Sequence, residues 1–146
     1  MSSMTLAEFA DKVTEVMPFI MREFMKQVSD EFYKVKVTMP QMVIMEILER
    51  EKEAKMSDLA RYLHVSTAAV TGVMDRLVRD SYAVRSEDPD DRRIVNIKLT
   101  QKGTTLIRNM NEKRKEITIK VFGKLSQADR ESYLRILNNI KEGMGS

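Results

Sequence analysis

Two adjacent arginines at the edge of an acidic loop are the residues of this chain best suited to binding an anion. Arg92 and Arg93 follow four carboxylates in the stretch EDPDDRRIVNIKLTQKG, which begins at Glu87. A guanidinium presents a planar fork of N–H donors that suits phosphates and carboxylates alike. The pair therefore serves either an anionic partner or ordinary surface ion pairs, which are worth under about 1 kcal/mol each.

Alternating apolar and polar residues on both sides of this loop predict a β-hairpin. The alternation runs from Tyr82 to Arg85 and again from Ile94 to Leu99. Asp88-Pro89-Asp90 has the chemistry of a turn, because proline restricts φ and aspartate caps its own backbone. Asp91 lies two residues before Arg93, a spacing at which its carboxylate can accept a charge-assisted hydrogen bond from the guanidinium. An arginine at the end of such a ribbon can reach a narrow minor groove of DNA.

Two helices separated by a tight turn precede the hairpin. A short helix is predicted from Met56 to Leu63, and Ser66 is a suitable N-cap for a second helix that ends near Asp80. This order is the helix-turn-helix motif, whose second helix enters the major groove. Arg79 is expected either to contact a phosphate or to pair with Asp75. The residues predicted to face base edges or phosphates are Thr67, Ala68, Thr71 and Arg76.

Helices are predicted for most of the remaining chain, since only five glycines and three prolines interrupt it. The first helix is expected from Thr5 to about Tyr33, with Pro18 kinking or dividing it. The second begins at Pro40, and Thr100 and Ser126 are predicted to cap two C-terminal helices. The apolar side of the second helix is predicted to comprise Met42, Val43, Met45, Ile47 and Leu48.

The composition limits the class of protein. A chain of 146 residues with 42% hydrophobic and 32% charged residues fits one folded domain rather than a disordered or membrane protein. We find no signal peptide and no apolar run of the roughly 18 residues that a membrane span needs, and we expect a cytoplasmic location. Cysteine is absent and His64 is the only histidine. No glycine-rich phosphate loop, activated nucleophile or metal-ligand cluster is found, so we expect no enzyme, no cofactor and no metal site.

The stretch from Leu59 to Gly103 resembles the DNA-binding half of the MarR family of winged-helix transcriptional regulators. The resemblance is carried by DLARYLHVSTAAVTGVMDRLVRD and by DPDDRRIVNIKLTQKG, which matches the family's wing signature of D-x-x-D-R-R, a strand and L-T-x-x-G. It implies a mainly α fold with a small β-hairpin wing, in a single MarR-type domain of residues 1–146. The winged helix-turn-helix part would span about residues 40–100, between dimerisation segments at about 1–36 and 101–146.

The resemblance also implies roles for individual residues. Arg93 would be the wing-tip arginine inserted in the minor groove, and Asp91 its structural partner. The implied recognition helix has few long polar side chains, so shape readout and phosphate contacts are expected to carry more of the specificity. The predicted DNA-binding set is Ser66, Thr67, Ala68, Thr71, Arg76, Arg92 and Arg93.

Apolar stripes on the terminal helices predict a homodimer, because family members pair these segments. On the last helix the stripe comprises Tyr133, Leu134, Leu137, Ile140 and Met144. A two-fold dimer would present two recognition helices to a pseudo-palindromic operator, most simply as a repressor.

Methionine is abundant, with twelve residues in the chain. Six of them fall on the first two helical segments, which in the family help to line a cleft between dimerisation and DNA-binding parts. They fit either plain core filling or an adaptable pocket for an anionic aromatic or phenolic effector that releases the protein from DNA. We take Arg22, Tyr33 and Arg85 as the candidate anchors for such a ligand.

A winged-helix adaptor that binds protein instead of DNA is the alternative function. Residues 55–100 contain eight Lys and Arg against seven Asp and Glu, a net charge of +1 that is modest for a DNA surface. The two functions differ in salt dependence, because the release of counterions from DNA makes binding fall steeply with salt.

Overall fold

The computed structural model describes residues 3–145, except for the side chains of residues 29–33. This part of the chain is mainly helical with a small antiparallel sheet, as the sequence predicts. Its elements in chain order are α1 (Leu6–Val35), α2 (Met39–Glu51), β1 (Ala54–Lys55), α3 (Met56–Leu63), α4 (Thr67–Arg79), β2 (Ala83–Glu87), β3 (Val95–Leu99), α5 (Gln101–Phe122) and α6 (Gln127–Gly143).

Several helices begin at side chains that cap them. The Ser66 hydroxyl accepts from the backbone N–H of Ala69 at 3.2 Å, and Ser126 caps α6 in the same way. Both caps are predicted from the sequence, since a hydroxyl satisfies one first-turn amide that has no helical partner. Pro18 does not divide α1, which runs unbroken through it. A proline removes only one helical hydrogen bond, and the neighbouring turns retain theirs.

The sheet has three strands in the order β1-β3-β2, whereas the sequence predicts only the hairpin of β2 and β3. The hairpin register pairs Ala83 with Leu99 and Glu87 with Val95. The added strand β1 pairs Ala54 with Ile97 on the other edge of β3. The strand β1 leads directly into α3, the first helix of the helix-turn-helix. Its pairing with β3 therefore joins the backbone of the wing to the start of that motif.

The chain folds into two compact units, whose boundaries fall inside α1 and α5. Residues Glu31–Glu112 form the unit that contains the sheet, α2, α3 and α4. Its core is apolar and centred on α2, which is buried around most of its circumference. The sequence-based stripe on this helix omits Ile44, which is fully buried. Core residues contributed by the other elements include Leu59, Val70, Met74, Leu77, Ala83, Ile97 and Ile107.

The junction between β3 and α5 explains the L-T-x-x-G signature in physical terms. The Thr100 hydroxyl accepts from the backbone N–H of Gly103 at 3.1 Å and donates to the carbonyl of Ser81 at 2.6 Å. A Cβ atom on Gly103 would collide with the backbone carbonyl oxygen of Tyr82. Only glycine allows α5 to start this close to the end of α4 and the beginning of the wing.

The other unit comprises Met1–Asp30 and Lys113–Ser146. In its described residues, α1, α5 and α6 form an open apolar groove of about 460 Å³. The rings of Phe24, Phe122 and Tyr133 lie in series along it, with centroids 6.2 and 5.2 Å apart. The groove leaves large hydrophobic side chains in solvent, among them Leu134, which is 60% exposed.

Candidate nucleic-acid interface

The first turn of α4 presents small side chains to solvent. His64 ends α3 in a left-handed conformation with φ of 54°, and the chain turns sharply towards Ser66. Thr67, Ala68 and Thr71 are exposed, and the Thr71 hydroxyl donates to the carbonyl of Thr67 at 2.9 Å. With no bulky side chain here, the helix backbone can come close to a base-pair edge.

Gly72 belongs to the same exposed face of α4 and is absent from the residues singled out by sequence. It lies four residues after Ala68 and four before Arg76, so the three residues share one side of the helix. A Cβ atom added at Gly72 would meet open space. Packing therefore does not require this glycine, although it costs helix stability relative to alanine. An isolated glycine within a helical pattern is the sequence signal that could have identified it.

The wing loop is organised by the carboxylate of Asp88. One of its oxygens accepts from the backbone N–H of Asp90 at 2.9 Å and from that of Asp91 at 3.3 Å. The other oxygen accepts from the side-chain amide of Asn96 at 3.4 Å. These bonds, together with the positive charge of Lys55, hold the pKa of Asp88 below its ordinary value. Asp88 therefore has a structural role in the loop.

Asp91 holds Arg93 in a bidentate pair. The guanidinium Nε and Nη2 atoms each donate to a different carboxylate oxygen at 3.1 Å, and the Arg93 backbone N–H donates at 3.0 Å. The guanidinium contact and the backbone bond both lower the pKa of Asp91. The side chain of Arg93 is nevertheless 90% exposed. A fixed but exposed guanidinium is available to an anion outside the protein.

Arg92 is also exposed, and within the described part of the chain it forms no hydrogen bond or ion pair. It differs in this respect from Arg93. The two neighbouring arginines therefore present one unbraced and one braced cation at the same end of the hairpin.

An ion pair between Arg85 and Asp75 ties β2 to α4. Of the two roles expected for Arg79, pairing with Asp75 is wrong, because the Arg79 side chain contacts Asp80 at 3.4 Å instead. The phosphate contact of Arg79 stays a prediction. Helical spacing indicates only that Asp75 and Arg79 are neighbours on α4. The strand brings in Arg85 as a competing partner. Arg76 remains exposed on the same helix.

A hollow of about 550 Å³ separates α4 from the wing. It brings together two predicted DNA contacts of α4, Thr67 and Thr71, and the wing residue Arg93. Its lining contains lysine and arginine side chains and no carboxylate. The full set of lining residues is Lys55, Met56, Ser57, Thr67, Thr71, Arg85, Arg93, Ile94 and Val95.

The structure describes the side chains of two of the three candidate ligand anchors. Arg85 lines the hollow and contacts Asp75. Arg22 is exposed in the other unit, with its guanidinium 5.8 Å from the ring centroid of Phe19. The side chain of Tyr33 lies outside the described residues. A ligand site shared by the three residues therefore stays a prediction.

The methionines of α1 and α2 differ in their surroundings. Met42 and Met45 are buried in the core of the helix-turn-helix unit. Met17, Met21 and Met25 line the open groove of the other unit. Core filling therefore accounts for Met42 and Met45, whereas Met39 at the start of α2 is exposed and the methionines of α1 line a surface groove.

Neither a metal cluster nor a membrane span is found among the residues that the structure describes. The described His, Asp and Glu side chains form no group of three or more that could hold a metal ion. Of the helices described, none has the length and apolar character needed to cross a membrane.

The sequence is similar to those of bacterial transcriptional regulators. The family model described as "MarR family" matches residues 37–95 of this chain. The YpoP protein of Bacillus subtilis, described as an uncharacterized HTH-type transcriptional regulator, is 26% identical over 127 residues. That match covers 85% of this chain and 90% of YpoP.

Solved structures share the fold along nearly the whole chain. A MarR family protein from Bacillus stearothermophilus is 20% identical with a TM-score of 0.83, covering 97% of this chain and 99% of that protein. BpsR of Bordetella bronchiseptica is 26% identical with a TM-score of 0.70, covering 91% and 95%. The DNA binding of BpsR is regulated by 6-hydroxynicotinic acid.

Proposed function

We propose that this chain is a DNA-binding transcriptional regulator of the MarR family, and that it acts as a cytoplasmic, dimeric repressor of a pseudo-palindromic operator. In each protomer α4 enters the major groove, and Arg93 enters the adjacent minor groove. Repression follows because a protein that occupies both grooves of a promoter excludes other proteins from it.

The braced arginine of the wing is the observation that carries this proposal. Arg93 is held by two side-chain bonds to Asp91 and remains 90% exposed. Bracing reduces the conformational entropy that the side chain loses on binding. An arginine in a narrow minor groove gains from the negative potential there without reading individual bases. Such a contact suits a recognition helix with small side chains.

The dimer is supported by the apolar surface of the unit that contains α1 and α6. No residue of α6 is buried in the single chain. Its stripe of Tyr133, Leu134, Leu137 and Ile140 is exposed, and so are Met17 and Met21 of α1. An apolar patch of this kind on a folded protein marks an interaction site. A second copy is the occupant that would also supply the second recognition helix of a pseudo-palindromic complex.

An anionic aromatic effector is the proposed signal for release, and Arg85 its first candidate anchor. Binding of the effector must favour a dimer whose α4 helices or wings are mis-spaced for DNA. By linkage the effector then weakens DNA binding by about 1–3 kcal/mol. A thermal-shift and DNA-competition panel of hydroxylated aromatic acids, including 6-hydroxynicotinic acid, tests this with wild type and Arg85→Gln. If no compound changes melting temperature or DNA affinity, the effector is rejected while the repressor stands.

Selection of genomic DNA fragments by the purified protein tests the central proposal. Wild type is compared with Arg93→Ala and with Arg93→Lys, which keeps the charge but loses the two-pronged contact with Asp91. We expect wild type to enrich a pseudo-palindromic site and to bind it with a steep negative slope of log K against log salt. Arg93→Ala should weaken DNA binding strongly. Arg93→Lys should bind DNA more tightly than Arg93→Ala but less tightly than wild type.

Retention of the same site at equal affinity by Arg93→Ala would contradict the minor-groove role. Absence of any enriched site would favour the adaptor function instead. In that case, binding of a protein partner through apolar contacts would show little salt dependence.

A further inference from the structure

The hollow between α4 and the wing is lined by polar side chains that are not among the predicted DNA contacts. Lys55 and Ser57 line it beside Thr67, Thr71, Arg85 and Arg93. Lys55 and Ser57 are both exposed. Cations and hydroxyl donors without a carboxylate among them are the groups that bind a phosphodiester oxygen.

Lys55 is the cation of this lining that forms no direct ion pair, although its charge acts at longer range on Asp88. Arg85 contacts Asp75, and Arg93 contacts Asp91. Among the described residues, Lys55 forms no ion pair within 4.0 Å. It is the N-cap residue of α3, its side chain makes no capping hydrogen bond, and β1 pairs it with Asn96 of β3. The strand that the sequence does not reveal therefore holds this lysine between the helix-turn-helix and the wing.

The geometry of duplex DNA indicates what must cross the hollow. A sugar-phosphate strand separates each major groove from the adjacent minor groove. A protein with α4 in one groove and Arg93 in the next must straddle that strand. The space between α4 and the wing is where the strand passes.

We propose that this hollow is a binding site, called here the phosphate seat, for one backbone phosphate of the operator, held by Lys55 and Ser57. The inference rests on the proposed function, because it requires both groove contacts at once. The phosphate sets the register of the protein on the duplex and carries no base specificity. Binding to different DNA sequences therefore weakens uniformly when the seat is removed.

The test measures DNA affinity against salt concentration, on the fragment that wild type selects. Lys55→Gln should lower the slope by about 0.9 per half-site, or about 1.8 for a dimer, and affinity at 0.1 M salt by roughly tenfold or more. Lys55→Arg should retain the salt slope. Ser57→Ala should weaken binding but leave the salt slope unchanged, because it removes no charge. Lys124→Gln removes the same charge from the exposed turn before α6 and serves as the matched control.

A second arm replaces single phosphates of the fragment by uncharged methylphosphonates. We expect one position in each half-site where the replacement weakens wild type but not Lys55→Gln, because the variant has already lost that contact. The proposed phosphate seat would be rejected by an unchanged salt slope in Lys55→Gln. It would also be rejected if methylphosphonates weakened both proteins equally at every position. In either case strong operator binding by wild type would leave the proposed function intact, whereas failure of wild type to bind would reject both.

Discussion

The guanidinium of Arg85 on β2 donates to the carboxylate of Asp75 on α4, and so joins the wing to the predicted recognition helix. This bond fixes the spacing between the two elements that must enter neighbouring grooves. Its partners are partly exposed, at 34% for Arg85 and 59% for Asp75. Solvent screening therefore limits its contribution to stability, and its main effect is expected on DNA binding.

Asp75→Asn should lower the free energy of unfolding by less than about 1 kcal/mol. It should also lower DNA affinity by about 1 kcal/mol, because α4 and β2 are no longer held together. Denaturant unfolding and operator titration measure the two effects. Asp58→Asn breaks an exposed ion pair with Arg61 on α3 and is the control. If the control loses as much DNA affinity as Asp75→Asn, the pair has no special role.

The wing should keep its structure across neutral and mildly acidic pH. The folded-state pKa values of Asp88 and Asp91 lie below their ordinary value of 3.8. For a lowered pKa, the stabilisation is present above the unfolded value and is lost as pH falls through the folded one. The NMR signal of Arg93 Nε–H should therefore be unchanged down to about pH 5 and should shift only below about pH 4.

Asp91→Asn is the control for that titration. The amide cannot ionise, so the shift assigned to Asp91 should disappear, while the one that reports Asp88 remains. A transition of Arg93 near neutral pH in wild type would show that another group controls the wing.

Gly103→Ala should destabilise the fold. The added methyl group would meet the carbonyl of Tyr82, and neither backbone segment can move without disturbing the Thr100 cap. We expect a loss of about 1–3 kcal/mol in the free energy of unfolding, measured with denaturant. An unchanged stability would mean that the start of α5 can shift away from Tyr82.

Gly72→Ala should have the opposite effect on stability. The added methyl group points into open space within a helix, so we expect a gain of about 0.5–1 kcal/mol. DNA affinity is the informative measurement. If α4 approaches the bases closely at this face, affinity falls although the fold is more stable. If affinity is unchanged, Gly72 lies outside the DNA contact.

Leu134→Glu should disrupt the proposed dimer, since it places a charge in the exposed stripe of α6. We expect a folded monomer by light scattering and a large loss of affinity for a two-half-site operator. Arg135→Glu introduces the same residue on the opposite side of α6 and should leave the dimer intact. A Leu134→Glu protein that remains dimeric would exclude this stripe from the interface.

Features that depend on near neighbours in the chain could be predicted from the sequence. The limits of α3 and α4 follow from apolar spacing and from the Ser66 cap, both of which act within one helical turn. The contact of Asp91 with Arg93 is likewise local, because the two residues are only two positions apart in the chain. The wing signature combines such local features, and for this reason one sequence suffices to reveal the resemblance to the MarR family.

Only the tertiary structure decided which distant residues meet. The strand β1 has two residues, too few for any periodic pattern, and it exists because β3 offers it a free edge. Asp75 has a sequence neighbour in Arg79, but strand pairing delivers Arg85 to it. Lys55 looks like an ordinary surface lysine until β1 and α3 bring it to the hollow beside Arg93. Long-range pairing is set by the sum of many contacts across the fold, and no local pattern of residues records it.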